Sequence, residues 1–161
     1  ALIDSKHIKE YVHLNGKKIE ISPTSQMGFE DNFYQKNPIE IAPAPIGETS
    51  RIPLGILYGA RSGDKGGCAN LGVWAKTDSA YSFLHEFLTI EKLKELLPDL
   101  EKFEIDRYEL SNIKSLNFYV HEILEDGVSS NNRKDGQAKS LGEYLRAKII
   151  DIPNVLLEEI K

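Results

Sequence analysis

The sequence predicts an α+β fold: a two-layer sandwich whose antiparallel sheet carries helices on one face, preceded by a β-hairpin and an extended linker. Three observations predict it. A Pro-rich break near Ser50 sets an N-terminal strand pair apart from the rest of the chain. Beyond it, two short apolar runs flank a Gly-rich stretch, and capped amphipathic stretches then take turns with short strand-like segments.

The first pair is YVHLNGKKIEI, where Asn15 and Gly16 supply the two positive-φ residues of a type I′ turn between strands at Tyr11–Leu14 and Lys17–Ile21. This hairpin, over residues 1–22, is followed by an extended linker over 23–50, which carries Pro23, Pro38, Pro43 and Pro45 and ends in APAPIGETS. The main domain is expected over 51–153, and 154–161 is expected to be a tail or short helix.

Within the domain, IPLGILY (52–58) and LGVWAK (71–76) are apolar runs short enough to be strands. Thr77 and Asp78 cap a helix through AYSFLHEFL, and Thr89 opens another, carried by Leu93, Leu96 and Leu97 until Pro98. FEIDRYEL sets Phe103, Ile105, Arg107 and Glu109 against the other parity, as a strand does. In SNIKSLNFYVHEIL, Ser111 or Asn112 reads as an N-cap, and Ile113, Leu116, Val120 and Leu124 form one stripe, so a helix is expected over 112–124. VSSNNRKDG reads as a short edge strand or a loop, QAKSLGEYLRAK as a helix through Ala138, Leu141 and Leu145, and IIDIP as a strand or helix end. Trp74 and Phe83 are read as core, and His85 as helix surface.

Composition limits the function. The chain has 161 residues, 40% hydrophobic and 28% charged, which suits one domain with an appendage. No apolar run approaches the roughly 20 residues that cross a bilayer, so no membrane contact is expected. The net charge of −5 is spread over interleaved acids and bases, and no nucleic-acid footprint is visible. One cysteine, Cys68, excludes an internal disulfide, and no Cys/His cluster points to a metal. No cofactor is expected, and a cytoplasmic location fits best. The opening residues ALIDSKHIKEYV lack both an apolar core and an initiator Met, which reads as a processed chain or one cut from something longer.

The chemistry-bearing stretch is GARSGDKGGCANLG, residues 59–72, with five glycines. Glycines allow positive φ and let backbone N–H groups converge, as anion cradles require. It is not a phosphate loop of the GxxxxGKS type, because Lys65 follows Asp64 and a strand rather than a helix comes next. The stretch reads as a strand-to-strand loop in which Arg61 and Lys65 bind a carboxylate or phosphate while Asp64 orients one of them. The alternative is a tight turn whose charges pair with one another. On the expected helix, Asn117 and His121 are i, i+4 neighbours on a largely buried face. They are either satisfied core residues or the far wall of a pocket over the Gly-rich loop, with His121 as general acid or base. Cys68 as a nucleophile would depend on His121 for activation.

Residues 52–153 resemble the C-terminal domain of the acyclic terpene utilisation protein A (AtuA-like) family. ARSGDKGGCANLGVWAKT, LTIEKLKELLPD, RYELSNIKSLNFYVHEIL and QAKSLGEYLRAKIIDIP carry the resemblance, in order. It implies a ferredoxin-like sandwich following a much larger N-terminal domain, in proteins tied to the catabolism of acyclic terpenes as CoA thioesters. No reaction comes with it. Arg61, Ser62, Gly63, Asp64, Lys65, Gly66, Asn70, Asn112, Asn117 and His121 stand where the family pattern has them, whereas the position of Cys68 is variable. The first 50 residues look like the end of the large domain and its linker.

Two expectations follow. In one, the domain contributes an anion or acyl-CoA site, completed by the larger domain of the same polypeptide, with His121 and Asp64 catalytic and the remaining eight of those residues binding. In the other, it is a non-catalytic module that offers its sheet to a partner domain or to a second copy in a homo-oligomer.

Overall fold

The computed structural model describes residues 7–21 and 39–159. They fall into two units, divided at Pro38. The first holds a hairpin of β1 (Glu10–Leu14) and β2 (Lys17–Ile21), in which Leu14 pairs with Lys17 across Asn15 (φ 49°) and Gly16 (φ 75°). Both turn residues have the sign a type I′ turn requires. Most of the linker stretch lies outside the described residues, and 39–48 contain neither helix nor strand.

The second unit begins its regular structure at β3 (Thr49–Pro53), which pairs antiparallel with β8 (Ile149–Pro153). IPLGILY is therefore not one strand. It leaves β3 at Pro53 and enters a 3-10 turn at Leu54–Ile56. The turn packs closely on the third helix, since a Cβ on Gly55 would lie 2.9 Å from the Arg146 Cβ. Leu54, Leu57 and Tyr58 are buried, so the run is apolar for burial and not for strand pairing.

The main sheet contains β4 (Gly59–Lys65), β5 (Cys68–Trp74), β6 (Ile105–Leu110) and β7 (Ser115–Val120), in the order β4-β5-β7-β6 with every neighbour antiparallel. The Gly-rich stretch is thus a hairpin, not a loop. Its strands run up to Lys65 and away from Cys68, and only Gly66 (φ 64°) and Gly67 turn. At Gly67 a Cβ would overlap the Glu125 carbonyl oxygen.

The helix expected over 112–124 is replaced by a 3-10 turn at Ser111–Ile113, a left-handed Lys114 (φ 52°) and β7. Period two overrides period 3.6 here. Leu116, Phe118 and Val120 are fully buried on one side, whereas Ile113, the first residue of the supposed stripe, is 60% exposed. Consecutive aromatic and β-branched residues suit a strand, and this one lies between two others, laddered on both sides.

The helices α1 (Asp78–Phe87) and α2 (Ile90–Leu96) start where Thr77 and Thr89 accept hydrogen bonds from the amides of Ala80 and Lys92. After β7 the chain turns irregularly to residue 140 with no strand. The third helix, α3, covers Leu141–Arg146 only. Ala138 is left-handed (φ 52°) and cannot belong to it, and Asp135 instead accepts hydrogen bonds from the amides of Lys139 and Ser140. A short α4 (Asn154–Glu158) follows β8. Leu84, Leu88, Leu93, Leu97, Leu141 and Leu145 join the inward residues of β5 and β7 in one core, so that among the described residues of this unit the helices lie on one face of the main sheet.

Candidate functional site

β5 buries Ala69, Leu71 and Val73, and β7 buries Leu116, Phe118 and Val120, so the residues between them point away from the helices. The register aligns those residues in rows across β4, β5, β7 and β6. One row holds Gly59, Trp74, Ser115 and Leu110, the next Arg61, Gly72, Asn117 and Tyr108, and the next Gly63, Asn70, Tyr119 and Asp106. Lys65 pairs with Cys68, and the His121 amide donates to the Glu104 carbonyl at 3.0 Å, which adds a fourth row. Trp74, expected in the core, is 40% exposed on this face, because its parity on β5 opposes that of Val73. Phe83 packs partly buried against the core.

Cations gather at the β4 edge. Arg61, Ser62, Trp74, Lys139 and Glu143 line a cavity of about 300 Å³ between that edge and α3. The Trp74 ring covers Gly59, where any Cβ would collide with it. Lys139 extends over Gly63, where a Cβ would stand 3.2 Å from its Nζ, and that Nζ lies 3.9 Å from Asp64 Oδ1. Lys65 Nζ donates to the Asp64 carbonyl at 2.9 Å. Among the described residues, neither Arg61 nor Lys65 is paired with a carboxylate. Arg61 and Lys139 beside the Trp74 indole suit an anion carried on a partly apolar ligand.

The middle and far end of the face are polar. Asn70 Nδ2 donates to Asn117 Oδ1 at 3.2 Å. His121 Nε2 lies 2.9 Å from Asp106 Oδ2, to which the Tyr108 hydroxyl also donates at 3.3 Å. The carboxylate partner assigns the ring proton to Nε2 and leaves the lone pair on Nδ1. The hydrogen bond from His121 holds the Asp106 carboxyl below its ordinary range. The charge on Asp106 in turn raises the Tyr108 hydroxyl, and a hydrogen bond with Cys68 raises that of Tyr119. The His121 ring meets Tyr119 edge-on, with 4.9 Å between centroids. Such an arrangement can hold a proton acceptor in a fixed orientation.

The structure brings some of the expected residues together and separates others. Asn70 and Asn117 touch, and His121 shares their face but lines a different cavity, with Lys102, Phe103, Glu104 and Glu122. Asp64, expected to orient Arg61 or Lys65, has the opposite parity to both on β4 and faces Lys139. Ser62 is buried on the helix side, where it serves α3. Gly63 lies under Lys139, Gly66 forms the hairpin turn and Lys65 stands exposed beside it. Asn112 occupies the turn at the other end of β7, near Lys114, whose carbonyl accepts from the Ala75 amide. His85 has its Nε2 2.8 Å from Glu109 Oε1.

Asp106, Tyr108, Tyr119 and Lys139 were not among the expected site residues. The alternation of FEIDRYEL already placed Asp106 and Tyr108 on the side opposite Ile105, and the alternation of SLNFYVH would have placed Tyr119 with Asn117 and His121. No sequence signal marks Lys139, which reaches the site only through the irregular chain before α3.

Among the described residues, no helix is long and apolar enough to cross a membrane, and no cluster of His, Cys, Asp and Glu has the makings of a metal site. A family model described as the AtuA ferredoxin-like domain matches residues 52–151. No curated protein and no solved structure matches the chain significantly.

Proposed function

The chain belongs to the AtuA ferredoxin-like domain family, and from that premise we propose that residues 52–151 hold the anionic part of an acyl-CoA or branched-chain carboxylate. The setting is the catabolism of acyclic terpenes or related branched acyl groups. Arg61 and Lys139 bind the phosphate or carboxylate, and Trp74 packs against the apolar or planar part beside it. A larger N-terminal domain of the same polypeptide covers the remainder. His121, oriented by Asp106, is the group placed to accept or return a proton at the far end of the face.

The observation that supports this reading is the cavity of about 300 Å³ lined by Arg61, Lys139 and Trp74, beside the Gly-rich stretch. The test is thermal unfolding of the intact polypeptide with CoA, acyl-CoAs and branched carboxylates. A ligand present at a hundredfold its dissociation constant adds about 2.7 kcal/mol. The reading expects stabilisation by at least one of these ligands, much reduced in Arg61→Ala. No stabilisation by any of them overturns it.

A further inference from the structure

Within the second unit, the face of the main sheet turned away from the described helices is polarised from edge to edge. Along β4 it is basic, with Arg61 and Lys65 both exposed. Along β6 it is acidic. Asp106 faces outward by the parity of Ile105, and Glu104, one ladder step before Ile105 and opposite His121, follows the same parity. Between the edges lie Asn70, Asn117, a hollow over Gly72 and the exposed Trp74 (40%), and β6 adds the exposed Tyr108 (51%) and Leu110 (40%). Large apolar side chains beside a polar floor mark an interaction surface more than a solvated one.

Symmetry selects the occupant. When two such sheets face each other, a two-fold axis parallel to the strands exchanges left and right edges, so the basic edge of each copy lies over the acidic edge of the other. An in-plane axis across the strands would instead stack basic on basic. The face is therefore complementary to itself in one arrangement, the condition for an isologous contact. We propose that this face is a homodimer interface, two copies stacked sheet to sheet at a spacing of about 10 Å. Lys65 meets the partner's Glu104 twice per dimer, and the hollow over Gly72 lies near the axis. The Arg61 cavity opens at the rim between β4 and α3, and His121 lies in the last row of the face beside a second opening lined by Lys102, Phe103 and Glu122, so both are reached from the rim of the dimer.

Sedimentation velocity on the 161-residue chain tests this. A dimer is expected. Lys65→Glu or Glu104→Lys alone weakens it at least about tenfold by placing like charges together at two symmetric points. The double variant Lys65→Glu with Glu104→Lys restores it. Gly72→Arg fills the hollow and abolishes dimerisation without loss of fold by circular dichroism, since a Cβ there meets its nearest neighbour at 3.7 Å. A monomeric wild-type chain overturns the proposal. So does a dimer indifferent to these substitutions, or a double variant that fails to recover. Ligand stabilisation is measured separately on the Glu104→Lys variant, whose substitution lies beside β6 at the far edge from the Arg61 cavity, so failure of one proposal is not failure of the other.

Discussion

Ser62 Oγ accepts a hydrogen bond from the Gly142 amide at 2.9 Å and donates one to the Lys139 carbonyl at 3.3 Å, which fastens the edge strand β4 to the start of α3. The contact is close on both sides: a Cβ on Gly142 would stand 3.3 Å from the Arg61 Cα. A helix thereby covers what would otherwise be an open sheet edge. The same bond brings Lys139 to the mouth of the Arg61 cavity.

Ser62→Ala leaves the buried Gly142 N–H without its partner, which costs about 1–3 kcal/mol. Chemical denaturation measures the loss. The variant is also expected to weaken ligand stabilisation, because Lys139 is no longer held over Gly63.

Phe118→Ala is expected to destabilise the chain by about 3–5 kcal/mol, while Ile113→Ala stays within about 0.5 kcal/mol. Phe118 is fully buried and Ile113 is 60% exposed. A helix over 112–124 would give the opposite ranking, so this pair of unfolding curves distinguishes the strand from the helix that the stripe suggests.

That stripe shows why part of the site was legible in the sequence although its element was not. Asn117 and His121 are four apart, a spacing that shares one face of a helix and, being even, also one face of a strand. Their neighbourhood was therefore readable under either assignment. The partner of His121 was not: on a helix Asp106 would be unrelated to it, and only the pairing of β6 with β7 brings the two together. The caps at Thr77 and Thr89, the Asn15–Gly16 turn and the alternation of FEIDRYEL were legible because each rests on local chemistry. Where the Gly-rich stretch turns was not. Five glycines suggested a loop, yet Gly59, Gly63 and Gly72 lie within strands, the first two because Trp74 and Lys139 cross over them.

The Asp106–His121 bond has a pH signature. Because the folded state holds the Asp106 carboxyl below its unfolded range, the bond contributes stability above that range and loses it as pH falls through the depressed value. In His121→Gln, the carboxyl of Asp106 is expected to titrate higher, and the acid-side loss of stability to shrink. Carboxyl carbon NMR across the acid range reads both proteins. An unchanged Asp106 titration contradicts the assignment of His121 as its main partner.

The ligand cavity can be observed directly, because Trp74 is the only tryptophan in the chain and lines the cavity with Arg61 and Lys139. The decisive measurement is its fluorescence during titration of the 161-residue chain with CoA. The account predicts a saturable change that is lost in Arg61→Ala and Lys139→Ala but survives in Glu104→Lys, at the opposite edge of the sheet. A flat titration, or one that Arg61→Ala leaves unaltered, would contradict the claim that this cavity holds the anion.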